Sequence, residues 1–156
     1  MTPRRFGQAG RQRWAGRTTV NPDAEDLRKL MCAKLKILIA EDDKTARMYY
    51  DESLSDKDFD KKFMTSGKEA LAAYRKWKPD IIVLDIMLEE MTGYTVLKEI
   101  RLGGDKSTTI IMATSLAGKS DILDCFHLGI QGYIVKPFDL RTLRDKILQY
   151  HRRDIT

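Results

Sequence analysis

Asp80-Ile-Ile-Val-Leu-Asp85-Ile-Met-Leu-Glu-Glu-Met-Thr-Gly93 is the stretch on which the fold turns. Ile81 to Leu84 run without a polar interruption, the pattern of a strand covered on both faces of a parallel sheet. Asp85 ends the run and so puts a carboxylate at the carboxyl edge of a sheet, where open α/β folds gather their ligands. A turn cap would explain Asp85 alone. Two other strand-like runs also end in charge, however: Leu35 to Ala40 in Glu41-Asp42-Asp43, and Tyr133 to Val135 in Lys136-Pro137.

Outward from this stretch, the chain alternates strand and helix from Lys34 onward. Ala46, Tyr49, Tyr50 and Ser53 or Leu54 recur at helical spacing after the first strand. Phe59 to Met64 mixes charge with Phe59 and Phe63, which suits an edge strand. Ser66 and Glu69 form a capping box for a second helix that buries Ala70, Leu71, Tyr74 and Trp77 and ends before Pro79. A third helix spans about Thr92 to Arg101, with Val96, Leu97 and Ile100 inward, and Gly103-Gly104 breaks it. Strand Thr109 to Ala113 leads to Thr114 and Ser115. The next helix, Lys119 to Leu128, is expected to bury Ile122, Leu123 and Phe126 before Gly129 stops it. Strand Gly132 to Val135 then precedes a last helix capped by Asp139, with Leu140, Leu143, Ile147 and Tyr150 inward. Five strand-helix units predict an α/β fold: a doubly wound, five-stranded, flavodoxin-like parallel sheet in the order 2-1-3-4-5, with helices on both faces.

That order sets the ends of strands one and three side by side, with the ends of strands four and five adjoining. Glu41, Asp42, Asp85, Thr114 and Lys136 then converge on one shallow cleft. Three carboxylates in one cleft repel each other and call for a compensating cation. Oxygen-rich clusters of this kind suit a hard divalent ion, Mg²⁺ above all. Zinc does not fit, because His127 and His151 fall on or near helices away from the strand ends.

The composition sets outer bounds. A chain of 156 residues suits one domain of ordinary size. Cys32 and Cys125 are far apart and lack metal-ligand spacing, which argues for a reducing compartment. No apolar run reaches the roughly 20 residues that span a bilayer, and the Arg-rich start is no secretory signal, so no membrane association and a cytoplasmic location are expected. The net charge of +5 is uneven: residues 1–30 hold seven basic and three acidic groups, giving +4 and leaving +1 for the remainder. Residues 1–33 read as a basic, flexible arm without periodicity, and residues 34–152 as the domain. Phe6 and Trp14 among the arginines allow contact with nucleic acid, but the arm alone makes that an unlikely partner. Met31 is an alternative start that would leave a complete unit.

Taken together, Ile-Ala-Glu-Asp-Asp at 39–43, Asp85 with Gly93 eight residues on, the Thr114-Ser115 pair, and Gly-Tyr-Ile-Val-Lys-Pro-Phe at 132–138 resemble the receiver (CheY-like) domain of two-component response regulators. The resemblance covers about Lys34 to His151. It implies that Asp85 accepts a phosphoryl group from a phosphohistidine on a sensor histidine kinase or a histidine phosphotransfer protein. It also implies that Asp42, Asp85 and the backbone carbonyl of Met87 hold Mg²⁺, with Glu41 reaching the ion through water and Lys136 adding positive charge on the other side. By the same resemblance the Lys136-Pro137 bond is cis, and Thr114 and Tyr133 are the switch pair that reshapes the face of helix four, strand five and helix five.

Departures from the family pattern carry their own expectations. Glu41 stands where Asp is commoner, and Glu89 where a proline is usual. Met87 and Leu116, two residues beyond Asp85 and Thr114, are apolar and cannot orient an attacking water, so self-dephosphorylation is expected to be slow. Only six residues follow Tyr150, which suggests no output domain and a stand-alone receiver acting on a separate target.

Other classes fit less well. Ala117-Gly118-Lys119-Ser120 mimics the end of a phosphate-binding loop, but Ala113 stands where that motif needs glycine. A haloacid-dehalogenase-like phosphatase wants a second Asp at the position of Met87. The remaining alternative is a receiver-like adaptor that binds its partner irrespective of phosphorylation.

Overall fold

Strand β3 (Ile81–Leu84) is buried along its whole length, and its side chains alternate between two separate cores. Ile82 and Leu84 belong to one, and Ile81 and Val83 to the other. A strand that must be apolar on both faces carries no polar alternation, which is why its sequence reads as an unbroken run. The same alternation holds in β1 (Leu35–Ala40) and β4 (Thr109–Thr114): Leu38, Ala40, Ile110 and Met112 face the first core, and Ile37, Ile39, Ile111 and Ala113 the second. Each fully buried Leu or Ile side chain here contributes about 2 kcal/mol of burial.

The computed structural model describes residues 23–25, 27, 33–115 and 118–152. The basic arm up to residue 22, Cys32, Leu116 and Ala117 lie outside the described residues. The chain divides into residues 1–32 and residues 33–156. Of the first unit, Ala24, Glu25 and Leu27 are helical, with the Leu27 amide donating to the Asp23 carbonyl at 3.0 Å.

In the second unit the remaining elements are α1 (Lys44–Ser53), β2 (Phe59–Met64), α2 (Gly67–Trp77), α3 (Gly93–Leu102), α4 (Lys119–Leu128), β5 (Gly132–Val135) and α5 (Leu140–Arg152). The five strands form one parallel sheet in the order β2-β1-β3-β4-β5, as the alternation predicts. Helices α2, α3 and α4 cover the first core through Ala70, Leu71, Val96, Leu97, Ile100 and Cys125. Helices α1 and α5 cover the second through Tyr50, Leu54, Leu143 and Ile147. Among the described residues no helix is long and apolar enough to cross a membrane.

Local signals set the helix starts. Asp43 accepts from the Ala46 amide at 2.7 Å, Ser66 from Glu69 at 3.2 Å and Thr92 from Thr95 at 3.2 Å, each satisfying an amide that a helix leaves without a partner. Glu69 completes its capping box one residue early, on the Thr65 amide and hydroxyl. Lys78 ends α2 in the left-handed region at φ 49, immediately before Pro79.

Two expectations about packing are corrected. In α4, Leu123 and Phe126 are exposed and Cys125 is the fully buried residue, with Ile122 half-buried. Apolar residues occupy more than one side of this helix, and Cys125 is the one that joins the first core. In α1, Tyr49 is likewise exposed while Tyr50 and Leu54 are buried.

Candidate functional site

Parallel register assembles the site. Ala40 pairs with Leu84 and Thr114 with Val135, so the next residues, Glu41 beside Asp85 and Lys136 beyond Thr114, leave the sheet at one edge. Backbone bonds hold these exits. The Asp85 amide donates to the Ala40 carbonyl at 3.0 Å, Glu41 to Met64 at 2.9 Å and Lys136 to Thr114 at 3.0 Å. Gly93 lets α3 close over the loop behind Asp85: a Cβ there would lie 2.0 Å from the Asp85 carbonyl oxygen. No side chain larger than hydrogen fits.

Glu41, Asp42 and Asp85 each bring a carboxylate oxygen within 4.8 Å of the others. Glu41 and Asp85 are buried, whereas Asp42 is exposed. Lys136 lies between the two buried acids, donating to Asp85 Oδ2 at 2.7 Å and bonding Glu41 Oε2. The other oxygens find backbone donors: Asp85 Oδ1 accepts from the Met87 amide at 3.0 Å, and Glu41 Oε1 from Asp43 at 3.1 Å. Lys136 thus lies directly against the acids, in the cleft where the strand order brings these residues together. It is their internal counter-ion, and the repulsion foreseen for the cluster is partly met by the chain itself.

The electrostatics follow. Burial raises the Glu41 carboxyl above its ordinary range, against the lowering effect of Lys136. Burial works to lower the Lys136 ammonium, but its bonds to Asp85 and Glu41 prevail and its pKa is raised. Beneath the pair, Tyr50 packs against Phe138 with ring centroids 5.0 Å apart. Its hydroxyl is buried without a hydrogen-bond partner among the described residues. Burial, then the negative charge of Glu41 and Asp85, pushes the Tyr50 phenol up.

The other expected residues fall around this centre. Thr114 ends β4 fully buried. Met87 is exposed, its amide engaged by Asp85 as above. The Lys136-Pro137 peptide bond is cis. Tyr133 in β5 is half-buried against the core beneath α2, α3 and α4, and burial raises its phenol. Of the two histidines, His127 is exposed on α4, and His151 Nδ1 lies 2.8 Å from the Thr109 hydroxyl at the opposite end of β4.

Two residues escaped the sequence reading. Tyr50 reads as an ordinary stripe residue, and nothing in the linear pattern shows that it lies under the acids. Arg47, on the helix after the acids, has its Nη1 2.8 Å from the Glu41 carbonyl and 2.7 Å from the Asp42 carbonyl. The only advance signal was its position, one turn into the helix that follows three consecutive acids.

The model of the response regulator receiver domain matches residues 37–148. The chain belongs to that family. Receiver domains of response regulators are signalling domains, and the similar proteins found agree with this. A probable transcriptional regulator ycf27 of Porphyridium aerugineum is 36% identical over 120 residues, 77% of this chain and 49% of its own length. The transcriptional regulatory protein RprY of Bacteroides fragilis is 34% identical over 123 residues, 79% of this chain and 52% of its own length. The chain therefore matches about half the length of these relatives. Among solved structures, the chemotaxis protein CheY4 of Vibrio cholerae superposes with a TM-score of 0.70 at 28% identity, covering 76% of this chain and 99% of that one. A CheY-like receiver domain protein of Methanospirillum hungatei shares the fold with a TM-score of 0.73 at 23% identity, over 79% of this chain and 98% of its own.

A divalent cation fits this receiver site on the chemistry of its donors. Hard carboxylate oxygens cluster there, and one of them belongs to the exposed Asp42, open to water and ions.

Proposed function

We propose that Asp85 accepts a phosphoryl group from a phosphohistidine of a sensor kinase or histidine phosphotransfer protein in the cytoplasm, and that the modified domain signals to a downstream target. One observation carries this reading: a buried aspartate at a sheet edge has one oxygen on a backbone amide and the other on an ammonium shared with a second acid. An Asp85 oxygen attacks phosphorus, the new O–P bond forms as the P–N bond breaks, and the departing imidazole nitrogen keeps the electron pair and takes up a proton. Lys136 stays beside Asp85 Oδ2 and offsets charge arriving on the phosphoryl oxygens. Asp42, Asp85 and the Met87 carbonyl are the groups that would hold Mg²⁺, with Glu41 acting through water. The ion supplies charge neutralisation at the transferring group.

Phosphorylation adds nearly two negative charges and three acceptor oxygens at Asp85. The Thr114 hydroxyl is the group drawn toward them, and Tyr133 the side chain that moves inward behind it. The face so altered carries Leu123, Phe126 and Val135, all exposed. A few kcal/mol of differential affinity suffices for such a population shift. The relatives' names make control of transcription the destination we favour for the signal, with this chain acting on a separate target.

Intact-mass measurement after incubation with acetyl phosphate, with and without Mg²⁺, tests the proposal. The expected result is a metal-dependent gain of one phosphoryl group that is lost in Asp85→Asn. No gain in the unaltered chain, alongside partner binding that ignores acetyl phosphate, would favour the adaptor instead. Met87 places no polar group beside Asp85 to align water, so the phosphorylated form should outlast seconds by a wide margin, and the same measurement over time reads its decay.

A further inference from the structure

The loop that presents Glu41 and Asp42 holds three consecutive acids, whose repulsion should open it. A closed set of contacts prevents this. Asp43 caps α1 through the Ala46 amide at 2.7 Å and receives the Arg47 backbone amide on its carbonyl at 3.0 Å. Its own amide donates to Glu41 Oε1 at 3.1 Å. The half-buried Arg47 side chain then reaches back from α1, and the single nitrogen Nη1, which carries two hydrogens, bridges the carbonyls of Glu41 and Asp42 at 2.8 and 2.7 Å. Charge-assisted bonds of this geometry are among the stronger ones a protein makes.

We propose that Arg47 is a positioning residue for the divalent-cation site: by fixing two successive carbonyls it sets the direction in which the Glu41 and Asp42 carboxylates leave the backbone. The inference rests on the receiver reading above and extends it to a residue that touches neither the cation nor the phosphoryl group. Its physical content is a sign. Arg47 is a cation near a cation site, so if its charge alone mattered, removing it would relieve repulsion and tighten Mg²⁺ binding. If it positions the acids, removing it lets the loop spread and weakens binding, as losses of supporting contacts around metal ligands do, by about 10-fold or more.

The test is titration of the full chain with Mg²⁺ by calorimetry, and with Mn²⁺ followed by electron paramagnetic resonance, for wild type, Arg47→Met and Arg47→Lys. Arg47→Met should bind both ions about 10-fold more weakly, with Arg47→Lys intermediate because an ammonium keeps the charge but loses the planar fork. The rate of phosphorylation by acetyl phosphate should recover at saturating Mg²⁺, so that the change lies in the metal requirement and not in the maximal rate. Binding by folded Arg47→Met as tight as wild type, or tighter, overturns the proposal. Should Arg47→Met fail to fold, Arg47→Lys decides by the same titrations: weaker binding supports the role and unchanged binding overturns it. Wild type that takes up neither Mg²⁺ nor a phosphoryl group would instead overturn the receiver reading itself, and the positioning role with it.

Discussion

Carboxylates lie at both ends of the sheet, and the two ends treat them in opposite ways. At the carboxyl edge, Glu41 and Asp85 share one ammonium and two backbone amides, with Asp42 exposed beside them. At the amino edge, Asp105 is saturated by Tyr74, by the Ser107 amide and hydroxyl, and by the Thr108 amide and hydroxyl. Nearby, the Arg101 guanidinium is spent on the carbonyls of Gly129, Asp105 and Thr108 and on the Gln131 side chain. Five donor groups serve one acid at the amino edge, whereas three serve the two buried acids at the carboxyl edge. A saturated carboxylate ties chain segments together, whereas a crowded one retains capacity for an incoming charge.

Lys136→Met should break this contrast most severely, because it removes the ammonium that Glu41 and Asp85 share. Phosphorylation by acetyl phosphate should slow about 100-fold. Unfolding by urea at neutral pH should show a loss of about 3 kcal/mol, the cost of leaving buried acids unpaired. The pH dependence gives the sign. The folded Lys136 pKa is raised, so its stabilisation is complete below the ordinary lysine value and fades as pH rises through the folded one. That alkaline decline should be missing in the variant. Glu41 has the same sign in a lower pH window: its folded pKa is raised by burial, so its ionisation costs stability as pH rises through the carboxylate range. The variant should therefore recover part of its loss on acidification.

Asp105→Ala probes the saturated end. It should cost about 2 kcal/mol in urea unfolding by stranding the Tyr74 and Thr108 hydroxyls, and leave phosphorylation of Asp85 intact. Burial alone would raise the Asp105 carboxyl, but its Thr108 and Tyr74 bonds hold it well below the ordinary carboxylate range. Its stabilisation is thus present above the unfolded value and lost as pH falls. The same contact pushes the Tyr74 phenol up to about 12, after burial. A shallower acid limb in the variant's stability profile would sharpen the comparison; an unchanged limb would break it.

Tyr50→Phe should have the smallest effect. Its hydroxyl is buried without a partner among the described residues, so removing one oxygen while keeping the ring against Phe138 should leave stability unchanged or raise it by about 1 kcal/mol, read from the urea midpoint. A clear loss would mean that the hydroxyl serves the acids above it.

Much of this was legible in the chain. A four-residue aliphatic run bounded by Asp80 and Asp85 is too short for a helix and suits a strand with two covered faces, and with the strand-helix alternation around it the sheet order followed. Capping residues such as Ser66 and Asp139 act within four positions and were equally plain. The inward face of α4 was not, because apolar residues on more than one side leave the choice to the shape of the sheet below.

Amino-acid order by itself determined which residues leave the sheet at its ligand edge, since alternation fixes strands, strands fix register, and register fixes which side chains exit together. Only the tertiary structure decided how those side chains are shared: that Lys136 divides itself between Glu41 and Asp85, that Arg47 turns back onto the acid loop, and that Asp105 is saturated. These contacts depend on side-chain reach across segments distant in sequence, and linear spacing carries no record of that reach.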